Sequence, residues 1–410
     1  MKVLYISNSL THYYNLVLSR LNKEPDIELV IVVPMFASVG DGVYQTNEGI
    51  NFRVIQLKEV KKYSFYNSLE GLAKVLIQEQ PDVVIVIFEY LRIFQFDVSV
   101  ILAMRFIRAD LILKSIPFRY STYQEALNAI AKTDVDIASL SPMLNIMLKK
   151  TGLMFLVRRS LLVMQKIALN IPDAHVNYVE AYEYWSSYGV VKEKLFITRN
   201  SPDTDMLFSV KETIQNEPPL LSPNVLRVLH VGRLVEWKRV DMLIKAFARV
   251  RKSFPESELL IIGTGPEEAN LKKIVSDLSL GASVRFLGGV YDQRLLGHYS
   301  IESSLYVLAG MGGLSINDAM CFGLPVLCSV ADGTEKFLVR EGVNGRYFRD
   351  GDEDDLFLKI SELFDNPTLL KEMGRHSEQI IRHEVNIHTV IKSYVDALNY
   401  VFKHKKSNNA

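Results

Sequence analysis

Cysteine is nearly absent from this chain, which has only Cys321 and Cys328 among 410 residues. Two cysteines make neither a disulfide framework nor a metal-ligand pattern, and this usage is typical of a reduced cytosolic protein. Long apolar runs are also missing, since stretches such as VVIVIF fall far below the roughly 18 residues of a membrane-spanning helix. The opening MKVLYIS reads as a strand, not as a signal peptide. We therefore expect a cytoplasmic protein, soluble or peripheral on the inner face of the membrane.

The chain also lacks an excess of either charge, with 47 Lys plus Arg and 47 Asp plus Glu. The chain has no net positive charge that would attract nucleic acid, so any basic binding site must be a local cluster of residues. Hydrophobic residues make up 48% and charged residues 23%, as in globular proteins. A chain of 410 residues is longer than a single hydrophobic core usually serves, so we expect two domains.

Short runs rich in Val, Ile and Leu alternate with helical patterns in two series. Such strands predict parallel sheets covered on both faces, that is, doubly wound Rossmann-like α/β domains. The first series is KVLYIS, ELVIVVP, FRVIQL, DVVIVIF, DLILKSIP, HVNYV and LFITRN, and the second is LRVLHVG, ELLIIG, SVRFLG, SLYVLA, LPVLCS and GRYF. A stretch rich in Pro, Ser, Asn and acids separates them.

These patterns predict an N-terminal domain over 1–203, a linker over 204–224 and a C-terminal domain over 225–384. A final helix over 385–405 is expected to pack back on the N-terminal domain. Ligands of doubly wound sheets bind beyond the carboxyl ends of the strands, so we expect the site in the cleft between the two domains.

Three loops of the second series carry candidate binding residues. HVGRLVEWKR places Gly232, Arg233 and Lys238 before a helix, where the two cations can hold a diphosphate and neutralise its charge. A solvated basic loop explains this spacing equally well. We expect replacement of either cation to leave stability almost unchanged.

IIGTGP is the weakest of the three motifs, because an ordinary strand-to-helix turn explains Gly263 and Gly265 better than a binding loop does. The third motif, AGMGGLSINDAM, puts Gly312 and Gly313 before a helix expected to open at Ser315. Unpaired N–H groups at a helix N-terminus suit phosphate. Asp318, one turn on, can accept hydrogen bonds from paired hydroxyls such as those of a ribose.

Together with VRFLGGV and DGTEKFLVREGVNGRYF, these motifs resemble the nucleotide-sugar-binding half of the family-four retaining glycosyltransferases, also called glycosyl transferases group 1. The match runs from about Arg227 to Asp355. The N-terminal half resembles the family only in its alternation of strands with helices and in the motif RNSPDTDMLF. The resemblance implies the GT-B fold, a nucleoside-diphosphate sugar donor and an α-linked product formed by front-face displacement.

By the match to the motifs, Arg233 and Lys238 would hold the diphosphate and Val290 would meet the base through its backbone. Leu314 and Ser315 would offer N–H groups to phosphate, and Asp318 would bind the ribose. We expect no metal and no cofactor, because basic side chains and a helix N-terminus can neutralise the leaving diphosphate.

The chain departs from the family pattern at two places. The family usually carries two glutamates eight residues apart, and here those positions are Gly310 and Asp318. A GxGGLS loop resembles one branch of the family, so we do not interpret Gly310 as a loss of activity. The usual N-terminal histidine is absent from LILKSIPFRYS, which leaves His12 as the candidate, although a surface histidine is an equally good interpretation.

Two further features allow a functional and a structural interpretation. Asp203 and Asp205 form a D-x-D, which we interpret as turn and capping residues rather than metal ligands.

Between Asp136 and Asp173 there is no acid, while Lys149, Lys150, Arg158, Arg159 and Lys166 are interleaved with apolar residues. This composition is typical of a segment that docks on anionic lipid, and a partly buried helix pair explains it nearly as well.

The expected activity is transfer of a sugar to a glycan acceptor, lipid-linked, in the biosynthesis of a surface polysaccharide such as lipopolysaccharide. Two alternatives stay open. A nucleotide-sugar 2-epimerase would turn over donor without an acceptor, and a donor-binding pseudoenzyme would bind the nucleotide without releasing it as product.

Overall fold

The computed structural model describes residues 1–35, 49–62, 66–116, 121–132, 142–150, 152–223, 226–331 and 333–408. Within this part of the chain there are two compact units. The first runs to Thr198 and includes the residues from Ile391 onward, and the second runs from Arg199 to Val390.

The first unit is built on a seven-stranded parallel sheet. Each of the seven predicted apolar runs forms one of its strands, and nearly all their residues are buried except in the two edge strands. The strands are β1 (Lys2–Ile6), β2 (Glu28–Pro34), β3 (Arg53–Leu57), β6 (Val83–Ile87), β7 (Asp110–Ser115), β8 (Ala174–Asn177) and β9 (Leu195–Ile197), in the order β3-β2-β1-β6-β7-β8-β9. An antiparallel hairpin of β4 (Glu59–Lys62) and β5 (Tyr66–Leu69) was not predicted.

Helices of the first unit pack their apolar residues against this sheet. They are α1 (His12–Leu21), α2 (Leu72–Glu79), α3 (Ile93–Phe96), α4 (Val98–Ile107), α5 (Tyr123–Lys132), α6 (Pro142–Lys150), α7 (Met154–Asn170) and α8 (Tyr182–Ser187). The core contains aromatic side chains from several of these elements, including Tyr90, Phe94 and Trp185.

The second unit is built on a six-stranded parallel sheet, again from the predicted runs. Its strands are β10 (Arg227–Val231), β11 (Glu258–Ile262), β12 (Val284–Phe286), β13 (Leu305–Leu308), β14 (Val326–Cys328) and β15 (Gly345–Tyr347), in the order β12-β11-β10-β13-β14-β15. The strand order reverses between β10 and β13, which is where doubly wound sheets bind ligands.

The remaining helices follow the strands of this second unit. They are α9 (Thr204–Ile214), α10 (Val240–Ser253), α11 (Glu268–Asp277), α12 (Gln293–Ile301), α13 (Ser315–Cys321), α14 (Glu335–Leu338), α15 (Glu353–Phe364), α16 (Pro367–His383) and α17 (Ile387–Asn408). Residues of α17 from Ile391 onward belong to the first unit.

The segment predicted as a linker is helical over its first half. Asp203 caps α9 by accepting a hydrogen bond from the backbone N–H of Met206 at 3.3 Å, as predicted for a capping residue. Asp205 lies 2.9 Å from the ring nitrogen of His388. Because α9 packs on α12 and α13, it is part of the second unit.

Candidate functional site

Loops that follow four strands of the second unit meet at the carboxyl edge of its sheet. The N–H of Gly232 donates to Ile262 O at 2.9 Å, and the N–H of Leu234 donates to Thr264 O at 2.9 Å. The N–H of Gly263 donates to Gly288 O at 2.7 Å. These bonds join the loops after β10, β11 and β12 into one surface.

Gly263 and Gly265 are required by close packing of backbone on backbone. A Cβ at Gly263, whose φ is +142°, would lie 1.8 Å from Gly232 O, and a Cβ at Gly265 would lie 2.2 Å from Leu234 O. No side chain fits at such distances. The two glycines therefore set the position of the β10 loop, and their contact with a nucleotide sugar stays a prediction.

Gly310 lies two residues after the end of β13, against the backbone of the β10 loop. A Cβ at Gly310 would lie 2.1 Å from Trp237 O and 2.9 Å from the Cα of Lys238. The next N–H, that of Met311, donates to Trp237 O at 3.0 Å. The missing first glutamate therefore has a steric cause, since no side chain fits at position 310 while the β10 loop keeps this path.

Lys238 ends a short 3-10 helix, Glu236–Lys238, and is buried. Its Nζ donates to Met311 O at 2.8 Å and to Gly312 O at 3.0 Å, and a Cβ at Gly313 would lie 3.6 Å from it. The ammonium thus braces the glycine loop and brings a positive charge to it. These two hydrogen bonds lead us to expect that removal of Lys238 lowers stability, unlike our expectation from the sequence alone.

Arg233 is half-buried on the same loop. Its guanidinium lies over the ring of Trp237, 5.4 Å from the centroid, and Trp237 is 48% exposed. Arginine offers a planar fork of N–H donors that suits a diphosphate, so this position is compatible with the predicted contact. The position suits the expectation that Arg233 contributes little to stability.

The start of α13 is tied to β10 by Tyr306, which sequence reasoning missed. The Tyr306 hydroxyl lies 2.7 Å from the Ser315 Oγ and 3.3 Å from Val231 O. A tyrosine within the apolar strand run SLYVLA was the available signal. Leu314 precedes the seven-residue α13, and Val290 lies half-buried in the loop after β12.

Asp318 is half-buried on α13 and has no side-chain hydrogen bond or ion pair within the described ranges. Desolvation raises the pKa of its carboxyl group to about 7. An unengaged carboxylate of this kind gains from ligand hydroxyl donors, because they replace the water that burial removes.

His230, also missed, lies wholly buried in β10. Its Nδ1 is 3.1 Å from Val307 O, while its Nε2 has no hydrogen-bond partner in the described part of the chain. Burial and the nearby charge of Lys238 lower the pKa of His230 to about 4. The imidazole is therefore neutral near pH 7. Gly232 lies next to it, because a Cβ at Gly232 would be 3.4 Å from the Nε2 of His230.

In the first unit, α6 and α7 expose both apolar and basic side chains. Seven large apolar residues of the two helices and the turn between them are at least 40% exposed, namely Ile146, Met147, Leu153, Phe155, Leu156, Val163 and Ile167. Arg159 and Lys166 are exposed as well, whereas Leu162, Ala168 and Leu169 pack into the core. One side of the helix pair is thus core and the other is an apolar surface with basic residues.

Two predicted positions fall partly outside the described residues. His12 begins α1, but its side chain is not among those described, and the same is true of Lys150. Across the described ranges, no three His, Cys, Asp or Glu side chains cluster as a metal site would require. In the same ranges, no helix combines the length and hydropathy needed to cross a bilayer.

Comparison with known proteins finds a family model that is similar to part of the C-terminal half. Residues 212–380 match the family model described as Glycosyl transferases group 1. An uncharacterized glycosyltransferase of Haemophilus influenzae is 29% identical over 191 residues, which span 44% of this chain and 53% of that one. The alpha-monoglucosyldiacylglycerol synthase of Acholeplasma laidlawii is 27% identical over 151 residues, 36% of this chain and 37% of that one. The chain thus spans about half or less of these relatives.

The fold of the whole chain also has a match among solved structures. HepE of Anabaena, crystallised in complex with UDP, superposes with a TM-score of 0.67 over 97% of this chain and all of that one, at 16% identity. The predicted GT-B fold class is confirmed by this likeness and by the two parallel-sheet units. Residues 212–380 are thus similar to the glycosyl transferases group 1, the family that the motifs of the sequence resemble.

Proposed function

We propose that this protein is a retaining glycosyltransferase that transfers a sugar from a nucleoside-diphosphate sugar to a glycan acceptor. The observation that carries the proposal is the buried Lys238 ammonium held against the glycine loop at the point where the strand order reverses. The family-model match over residues 212–380 and the UDP named for HepE support a nucleotide-sugar donor.

In this proposal each predicted residue has one task. Arg233 and Lys238 hold the diphosphate, while the half-buried Asp318 accepts hydrogen bonds from the ribose hydroxyls. Backbone N–H groups of Gly312, Gly313, Leu314 and Ser315 face the phosphates or the donor sugar. Since no side chain fits at Gly310, backbone groups of the glycine loop take the place of the absent glutamate in holding the sugar.

The reaction exchanges one bond at the anomeric carbon for another. The bond to the diphosphate oxygen breaks, and its electron pair stays on the diphosphate. The acceptor hydroxyl bonds to the same face of the carbon, and its proton passes to the departing phosphate. Negative charge on the diphosphate grows during this step, so the two cations stabilise the transition state more than the bound donor. We propose that no metal ion and no cofactor is needed.

The acceptor we propose is a lipid-linked glycan of a surface polysaccharide, reached from the inner face of the membrane. Exposed apolar and basic side chains on α6 and α7 suit docking on anionic lipid. The glycolipid product in the name of the Acholeplasma laidlawii relative is consistent with a lipid acceptor.

A panel of nucleotide sugars tests this function. The protein is incubated with each donor and excess chelator, first alone and then with lipid-linked glycan acceptors, and released nucleotide and glycosylated product are measured. Slow hydrolysis of one donor, accelerated by an acceptor, is expected. Interconversion of the donor without transfer would indicate an epimerase, and binding without any product would indicate a pseudoenzyme.

A further inference from the structure

Lys114 is a buried cation in a ring of tyrosines. It is the fifth residue of β7 and is 8% exposed. Its Nζ lies 3.5 Å from the ring centroid of Tyr14, 4.7 Å from that of Tyr178 and 5.7 Å from that of Tyr5. The rings are fixed from behind, because the Tyr14 hydroxyl is 3.1 Å from that of Tyr5 and 2.9 Å from that of Tyr394.

Among the described residues, the Lys114 ammonium contacts aromatic rings, but it has no hydrogen-bond acceptor and no ion pair. Aromatic faces attract a cation, but they do not replace the hydrogen bonds that water or an anion gives to its three N–H groups. Burial lowers the pKa of Lys114 well below its usual range, and the exposed Glu89 only partly opposes this. Burial therefore disfavours the charged form of Lys114 in the free protein, and an anion beside the Nζ would favour it.

The ring of tyrosines lies where a ligand of this sheet would bind. Tyr5 is the penultimate residue of β1, Lys114 is the penultimate residue of β7, and Tyr178 directly follows β8. All three are thus at the carboxyl ends of parallel strands, the edge at which open α/β sheets hold their ligands.

We propose that Lys114 binds an oxyanion of the acceptor, so that the acceptor is an anionic glycan. This proposal rests on the proposed transferase function, since it names the acceptor of that reaction. A phosphate next to the acceptor sugar and a carboxylate on an acidic sugar both offer the required chemistry. Either group would supply the hydrogen-bond acceptors that the tyrosine rings lack.

The first test measures stability and needs no activity. Lys114→Met keeps an apolar chain of similar length among the rings, and Lys192→Met is the control, since the exposed Lys192 lies 5.7 Å from the Tyr182 ring. We expect Lys114→Met to raise the melting temperature of the free protein by a few degrees. Inorganic phosphate should then stabilise the wild type and Lys192→Met more than Lys114→Met. A lower melting temperature with an unchanged phosphate response would overturn the proposal and make Lys114 a structural contact.

The second test separates the acceptor classes. Transfer is measured to a phosphorylated acceptor, to a carboxylated acceptor and to an uncharged glycoside, all at saturating donor. For the anionic class that binds Lys114, Lys114→Met should raise the acceptor KM about 10- to 100-fold, as expected for a lost charge-assisted hydrogen bond. The donor KM and the KM of the uncharged glycoside should not change.

If each acceptor has the same KM with Lys114→Met as with the wild type, the proposal is contradicted. If the wild type transfers sugar to none of the acceptors, the transferase function itself fails. The phosphate measurement on the free protein still decides whether Lys114 binds an anion in that case.

Discussion

At the scale of single residues, Asp318 couples binding to stability. The folded pKa of about 7 lies above the usual value of 3.8, so the carboxyl group stabilises the fold when protonated. That contribution is complete below about pH 4 and is lost as the pH rises through about 7. A carboxylate at this position therefore costs stability at pH 8, and we infer that ligand hydroxyls compensate for it.

We predict that Asp318→Asn raises the melting temperature at pH 8 by a few degrees and has a much smaller effect at pH 5. The same substitution should weaken nucleotide binding and increase the donor KM more than it lowers kcat. Thermal unfolding at both pH values measures the first effect. Asp277→Asn, an exposed aspartate on α11, is the control, and an equal change at both pH values would refute the assigned cause.

Gly310 is the second residue-scale test. We predict that Gly310→Ala lowers the melting temperature by several degrees and the rate of donor turnover, because its Cβ would meet Trp237 O at 2.1 Å. Gly281→Ala, where a Cβ meets nothing within 4 Å, should change neither. A stable and active Gly310→Ala would show that the β10 loop can move aside, and our explanation of the missing glutamate would fail.

The motifs predicted candidate binding residues, but not what each one contacts. That a glycine would stand against Trp237 O, or that Lys238 would be buried, depends on the paths of two loops far apart in sequence. Tyr306, His230 and Lys114 were missed because a polar residue inside an apolar run is visible in the sequence, but the pattern does not say which groups it contacts.

At the scale of elements, the β10 loop should separate structural from catalytic contributions. Lys238 donates two hydrogen bonds to the glycine loop, while Arg233 is half-buried over Trp237. We predict that Lys238→Ala lowers the melting temperature by several degrees. The carbonyl groups left without this donor should reduce the free energy of unfolding by about 1 to 3 kcal/mol. Arg233→Ala should change it little. Equal unfolding temperatures for the two variants would contradict the bracing role.

The surface of α6 and α7 leads to a prediction about lipid binding. Replacing Lys149, Lys150, Arg158 and Arg159 by Gln should weaken binding to anionic vesicles by roughly 1 kcal/mol per residue near the surface, while binding of soluble donor stays intact. Vesicle co-sedimentation at low salt measures this. A wild type that does not bind anionic vesicles would show that the exposed apolar residues have another role.

At the scale of the whole molecule, periodicity was enough to predict the architecture. All thirteen strands of the two parallel sheets arise from predicted apolar runs, because buried parallel strands need apolar residues on both faces. The helix α9 was missed because Pro, Ser and Asn in NSPDTDM suggested a loop, whereas they form a capped helix start. The β4–β5 hairpin was missed because its strands, EVKK and YNSL, have almost no apolar pattern.

The most direct test of the central claim is the hydrolysis rate of donor by Arg233→Ala, compared with wild type, in excess chelator. The measurement needs no acceptor, and we expect Arg233→Ala to keep most of the stability of the wild type. If the β10 loop neutralises a departing diphosphate, the folded variant should lose about a hundredfold to a thousandfold in kcat, as for other preorganised electrostatic contacts. A folded Arg233→Ala protein with near-native turnover would contradict the account and reduce the β10 loop to a solvated basic surface.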